Sequence, residues 1–384
     1  MTLLYDPDRL RAALQESGAA AVVASLPQNV LYLTRFRKAG ALAVLRAEVP
    51  DRPTLLVPAA SLDFVLEDPD PAVEVISCGT FYRSFSGDDL PEREATIRRL
   101  HETGRQEAPV RVATSLLEDA GGPVVVDQPP EAIPGLGDVA PGVKLSADPD
   151  LFMGLRMVKT AEELERLQAA ARITEEAIAA SLAAVRPGAL QAEIAAAYAG
   201  AVVARGAGIR ADNVSIDEGA ALGNVNMPED RVLEGSIVRY DVGAIHRGYA
   251  SDIARCFSVG PPGEEHAAKY RALLRGEEAA LERLRPGVRA SELFQAAVGA
   301  VRLEGIPRYE RTHVGHGIGI AGGYDRPLLA PGDDTVIEPG MVLCVETPYY
   351  ELGRVGLQVE DMVVVTGDGF ELLSHSSRDL EVVG

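Results

Sequence analysis

The first third of the chain carries apolar runs that are short and sharply ended. Residues 20–25, 41–46, 54–58, 73–78 and 123–127 are clusters of Val, Leu, Ile and Ala closed by turn-forming residues, the pattern of buried strands. Asp6 stands before Pro7, placed to cap a helix over Pro7–Glu16. Helix and strand signals in alternation predict an α/β layer domain over residues 1–145. Residues 128–150 are a loose stretch of Pro, Gly and Asp and predict the boundary, leaving 150–384 as a second domain. Thr160 and Glu163 fit a capping box that opens a helix running to about residue 184. A second helix is expected after Arg186-Pro187-Gly188.

This second domain repeats itself. The string Arg186-Pro187-Gly188 recurs as Arg285-Pro286-Gly287, an offset of 99, and nine identities fall in the 22 positions from 185 to 206. Further on, Gly235 leads through an apolar strand to Asp241, and Gly340 leads through another to Glu346. Each half therefore places one acidic strand at its centre. That predicts an α+β domain of two related halves.

The acidic strands carry the chemistry. Residues 237–257 read as a hairpin with its turn near His246-Arg247-Gly248, so Asp241 and Asp252 are expected directly opposite each other about a centre between 246 and 247. Glu346 and Glu360 are symmetric about Gly353 and are expected to face one another. Like charges opposed on a sheet are destabilising, and inside apolar strands they call for protons or cations. His316, among glycines just before the second acidic hairpin, is the candidate nitrogen ligand. His313 is expected either behind the metal ligands, supporting them, or on the substrate side of the site. Four carboxylates and one imidazole suit Mn²⁺, Co²⁺ or Zn²⁺ rather than a thiolate-rich zinc site. Two bridging carboxylates would hold two ions ~3.5–4 Å apart, with a bridging hydroxide to attack a carbonyl.

Composition narrows the partners. The chain has 384 residues and a net charge of −20, which repels phosphate backbones and anionic lipid, so neither nucleic acid nor membrane is an expected partner. No apolar stretch approaches the ~18 residues of a spanning helix. The start of the chain shows no basic region followed by an apolar run, so a cytoplasmic protein is expected. Cys78, Cys256 and Cys344 are too few and too far apart for a disulfide framework or a zinc finger, and are expected as buried thiols.

These motifs resemble those of the pita-bread metallopeptidases: Xaa-Pro dipeptidase (prolidase), aminopeptidase P and methionine aminopeptidase. The resemblance covers the whole chain, with a pita-bread catalytic domain over 150–384 and a creatinase-like N-terminal domain over 1–145 that includes the string from Asn29 to Phe36. It implies two divalent ions, foremost Mn²⁺, held by Asp241, Asp252, His316, Glu346 and Glu360. Asp252 and Glu360 would bridge them, and Glu346 would also relay a proton to the leaving amine. It implies a homodimer acting on Xaa-Pro dipeptides or short peptides. The N-terminal domain favours the prolidase and aminopeptidase P branch. Aminopeptidase P, acting on longer Xaa-Pro peptides, is the alternative. Metal-free creatinases and non-catalytic binding proteins share the fold and form a separate class.

Departures from the family pattern bear on substrate handling. Asn226 stands near where the family usually has a histidine. Tyr324 is the nearest polar donor where a second histidine is usual, and Gln358 replaces an arginine common before the last metal glutamate. A dipeptide ends in a carboxylate just beyond proline, which calls for a cation. Arg35, Arg37 and Arg326 are the candidates, with a contribution across a dimer interface open.

Overall fold

The computed structural model describes residues 3–87, 89–139, 143–321 and 323–383. It divides into two compact units, Met1–Arg156 and Met157–Gly384.

In the first unit the strands are β1 (Ala21–Ala24), β2 (Leu42–Arg46), β3 (Thr54–Pro58), β4 (Glu74–Cys78), β5 (Val124–Val126) and β6 (Leu145–Ala147), in the sheet order β4-β3-β2-β1-β5-β6. The β1–β2 and β2–β3 pairs are antiparallel and the others parallel. Their side chains bury a core that includes Val23, Val44, Leu56, Val112 and Val124. Asp6 caps the helix Pro7–Glu16, accepting from the amides of Asp8 and Arg9. The stretch 128–150, read as loose, contains β6 and the start of the helix Pro149–Met157. The three-residue β6 carries too few apolar side chains to announce itself, and its parallel pairing to β5 supplies its hydrogen bonds.

In the second unit the strands run β7 (Gly208–Ile216), β8 (Ile237–His246), β9 (Tyr249–Ala250), β10 (Ile253–Val259), β11 (Gly315–Gly317), β12 (Asp325–Leu328), β13 (Val342–Glu346), β14 (Tyr349–Glu351), β15 (Val355–Leu357), β16 (Glu360–Val365), β17 (Phe370–Leu372) and β18 (Glu381–Val383). The main sheet has the order β12-β11-β13-β16-β10-β8-β7, and β9, β17 and β18 pair onto it. The two halves of the repeat meet where β10 runs antiparallel to β16.

The repeat is structural. The helices Gln191–Ala204 and Ala290–Leu303 have 14 residues each and keep the offset of 99. Gly188 and Gly287, which precede them, have φ of 88° and 89°, a region glycine enters without the strain other residues meet. The helix Ala161–Ser181 opens with the expected capping box of Thr160 and Glu163.

Alternation along the strands divides the sheet's faces. Leu343 and Val345 on β13 and Val363 on β16 join a core with Leu273, Leu293 and Val301 of the helices Glu264–Arg283 and Ala290–Leu303. The intervening positions, Cys344, Glu346, Glu360 and Met362, point to the opposite face. Among the described residues no helix is long and apolar enough to cross a membrane.

Candidate metal centre

One transverse row of the sheet collects three of the carboxylates. Asp241 on β8 pairs with Ala254 on β10, Ala254 with Glu360 on β16, and Glu360 with Glu346 on β13. Glu346 and Glu360 are directly opposite, as their symmetry about Gly353 requires. The hairpin of β14 and β15 continues the same register.

The first pair differs from expectation. Asp241 lies opposite Ala254, not Asp252. The turn is Arg247-Gly248, with φ of 47° and 88°, the two-residue geometry that matches strand twist. Its centre lies one residue beyond the expected one. A one-residue change of centre moves the pairing by two, so Asp252 keeps the cavity face and lies diagonal to Asp241.

The neighbouring row on that face completes the set. His316 on β11 pairs with Cys344, and Cys344 with Met362. The Met362 sulfur accepts from the Asp252 amide at 3.4 Å. His316 Nδ1 lies 3.0 Å from its neighbour's carbonyl, Gly317 O, a contact that orients the ring and turns Nε2 toward the carboxylates. Nε2 lies 3.5 Å from Asp252 Oδ2 and 4.0 Å from Glu360 Oε1. Gly315, beside His316, has φ of 141°, and a Cβ there would sit 2.1 Å from the Cys344 carbonyl. Only glycine lets β11 lie this close to β13.

Electrostatically the set is strained. Burial, then the charges of Asp252, Glu346 and Asp241, push Glu360 well above the usual carboxylate range. Burial also pushes Asp241 up to about 6, with Arg239 opposing and Asp252 and Glu346 adding to the rise. Among the described residues Asp252 Oδ1 and Glu360 Oε1 are buried without a hydrogen-bond partner. Orphaned buried carboxylate oxygens beside an imidazole nitrogen are the environment a divalent cation neutralises, so the residues present fit the two ions the resemblance implies.

The set floors a cavity of about 850 Å³. His313 lies on its wall, with Nδ1 3.1 Å from Glu346 Oε1. Tyr324 is half exposed and its ring stacks on His316 with centroids 3.7 Å apart. Burial, then Asp252 and Glu346, push its hydroxyl up to about 12. Gln358 is buried beneath the cavity and donates to Glu346 Oε2 at 3.1 Å and Glu360 Oε2 at 3.2 Å. Asn226 lies at the rim.

None of the three expected carboxylate-binding arginines is among the residues that line this cavity. Arg35 and Arg37 belong to the first unit, where Arg35 pairs with Asp70 at 2.9 Å and Arg37 with Glu67 at 2.7 Å. Arg326 is exposed on β12 and does not line the cavity. Instead the cavity contains Arg210 and Arg311. Arg210 sits where the β7–β8 register shifts, and this bulge aims its guanidinium to 2.7 Å from Asp252 Oδ2. Arg311 Nε is buried without a partner. Among the described residues its guanidinium meets no carboxylate and lies 5.6 Å from the Tyr350 ring. Arg239, fully buried on β8, donates to Gln358 Oε1 at 3.0 Å and lies 3.8 Å from Asp241. Arg239 was legible in principle: it precedes Asp241 by two, as Gln358 precedes Glu360, and period two puts both on the cavity face. Nothing local marks Arg210.

Comparison with known proteins agrees with this architecture. The probable dipeptidase PepE of Mycobacterium tuberculosis is 34% identical over 236 residues, 61% of this chain and 63% of its own length. The Xaa-Pro dipeptidase of Pyrococcus furiosus is 31% identical over 233 residues, 60% of this chain and 67% of its own. The chain thus spans under two thirds of PepE's length in that alignment. The solved dipeptidase PepE of Mycobacterium ulcerans superposes with a TM-score of 0.76 at 28% identity, covering 98% of this chain and 96% of that one. The Xaa-Pro dipeptidase of Bacillus anthracis superposes with a TM-score of 0.82 at 22% identity, covering 98% and 99%. The fold is the expected one, an α+β pita-bread domain preceded by an α/β N-terminal domain. The pattern that defines metallopeptidase family M24 matches residues 165–367, more than half of the chain, and the chain belongs to that family.

Proposed function

We propose that this protein is a metal-dependent Xaa-Pro dipeptidase. The observation that carries the reading is the single row of Asp241, Glu360 and Glu346, the two glutamates buried and Asp241 partly so, completed by Asp252 and His316 on the same face. These five residues would hold two divalent ions. When bound, such ions supply Lewis-acid polarisation of a carbonyl and an acidified water. Glu346 is the proton carrier: its Oε2 is fixed by Gln358, while its Oε1 faces His313 and the cavity. His313 and Tyr324 stand on the wall where donors can meet the carbonyl oxygen as it gains charge. Arg311, a cavity cation that meets no carboxylate among the described residues, would receive the carboxylate that ends a dipeptide. The relatives named dipeptidase and Xaa-Pro dipeptidase support this class.

The test is proline release from a panel of Xaa-Pro dipeptides beside an Xaa-Pro tripeptide, with chelated protein refilled with Mn²⁺, Co²⁺ or Zn²⁺. Metal-dependent cleavage of dipeptides alone supports the reading. Absence of cleavage with every metal refutes it. Cleavage of the tripeptide moves the assignment to aminopeptidase P. One observation favours that second reading: Leu222, Val225 and Tyr324 at the rim are about half exposed, which leaves the mouth open to a longer chain.

A further inference from the structure

We propose that Cys344 is a metal ligand, its thiolate joining His316, Asp252 and Glu360 around one of the two ions and making that half of the centre selective for Zn²⁺ or Co²⁺ over Mn²⁺. The inference rests on the metal-centre reading above and adds a donor to it. Strand alternation puts Cys344 on the same face as Glu346, and sheet register puts it beside His316. One donor atom from each of Asp252, His316, Cys344 and Glu360 lies within 4.8 Å of the others, and all four residues are buried. A lone buried thiol is ordinarily a small apolar residue. Here it stands among two carboxylates, each with a buried oxygen that meets no hydrogen-bond partner among the described residues, and a histidine whose Nε2 faces them. The hydrogen bond from the thiol to the Asp252 carbonyl is long, 3.8 Å, and is readily exchanged for a metal bond.

Two carboxylates, one imidazole and one thiolate make a four-donor set. Thiolate and imidazole favour Zn²⁺ and Co²⁺, whereas oxygen donors suit Mn²⁺. The other half of the centre, built on Asp241 with the shared carboxylates, offers oxygen alone. The centre is therefore asymmetric, with one thiophilic and one hard position. Ligation replaces the S–H bond by an S–metal bond and releases the thiol proton to solvent.

The experiment is electronic absorption of the chelated full-length protein refilled anaerobically with Co²⁺. The wild type should show a thiolate-to-cobalt charge-transfer band in the near ultraviolet besides the visible bands of bound Co²⁺. Cys256→Ser, a buried cysteine outside the cluster, should keep the near-ultraviolet band. Cys344→Ser should lose it, keep the visible bands, and lower the preference for Zn²⁺ over Mn²⁺ by roughly 10- to 100-fold, the scale of a lost metal-supporting interaction. Visible bands without a charge-transfer band in the wild type overturn the inference and leave the metal centre standing. Failure to bind Co²⁺ at all overturns both. Neither readout depends on peptide turnover, so a failure of the dipeptidase reading is separately visible.

Discussion

Replacing Asp241 by Asn should make the metal-free protein more stable and its metal-bound form less so. The Asp241 carboxyl has an ordinary value of 3.8 and is pushed up to about 6, chiefly by burial. The folded state therefore holds this proton more tightly than the unfolded chain does. Stability contributed by the group is full below ~4 and falls as pH rises toward ~6, because the folded state binds more protons across that window. Above it the penalty stays constant. A tenfold change in proton affinity is worth about 1.4 kcal/mol, so the full penalty is about 3 kcal/mol. The side chain keeps 18% of its surface exposed, and solvent reduces this ceiling to an expected ~1–3 kcal/mol. Asparagine has the same shape and carries no charge to desolvate. The assay is urea unfolding of chelated wild type and Asp241→Asn at pH 8 and pH 4. The variant should unfold at higher urea at pH 8 and together with the wild type at pH 4. Equal or lower stability of the variant at pH 8, or a gain that ignores pH, would refute the electrostatic argument. In saturating Mn²⁺ the order should reverse, because the wild type gains the binding energy of the ions.

Metal addition should stabilise the wild type by about 2.7 kcal/mol at a free concentration one hundred times the dissociation constant, read as a rise in melting temperature. Glu360→Gln should abolish most of that rise, since Glu360 lies at the middle of the row. Arg311→Ala should raise KM for Xaa-Pro dipeptides by roughly 10- to 100-fold, the loss of a charged hydrogen bond of about 1.5–3 kcal/mol. A tripeptide assay beside it should change little, and an unchanged dipeptide KM would remove Arg311 from the substrate site. Gly356→Ala should destabilise the fold by about 1–3 kcal/mol in urea unfolding, because its Cβ would lie 2.1 Å from the Ala220 carbonyl oxygen, rigid backbone that has to move.

Much of this fold was legible because local signals and global pairing agree. Five of the six described strands of the first unit, the capping box at Thr160 and the 99-residue repeat appear where expected, each from signals in the sequence itself. The Glu346–Glu360 pairing followed from counting, since nothing between β13 and β16 breaks the register. The Asp241–Asp252 pairing failed by one residue of centre because the turn residues were assigned without their dihedrals: Arg247, a residue with little liking for positive φ, takes 47° there. Position 210 was not legible at all. A bulge in β7 turns Arg210 toward Asp252, and a bulge follows from the partner strand rather than from its own composition. The substrate arginines are expected on charge alone, and charge does not say which arginines line a cavity; here Arg210 and Arg311 do. Arg35 closes the helix Pro27–Thr34 in the left-handed region and pairs with Asp70.

The row of carboxylates explains why a sheet carries charges it would otherwise reject. Two hairpins, one from each half of the repeat, each bring acidic residues to the same face, and one antiparallel bridge between Ala254 and Glu360 aligns them. A repeat alone would give two separate acidic strands. The bridge makes them one site, and at the junction stands Ala254, whose methyl leaves the face between Asp241 and Glu360 open. The charges raise one another's proton affinity and leave oxygens unpaired, so the fold carries an energetic deficit at this row in the absence of a counter-charge. Arg210 and the Arg239–Gln358 pair offset part of it, and a divalent cation can offset the rest. Affinity for metal and instability without it are then two readings of the same arrangement. A change that relieves the repulsion should weaken metal binding in proportion.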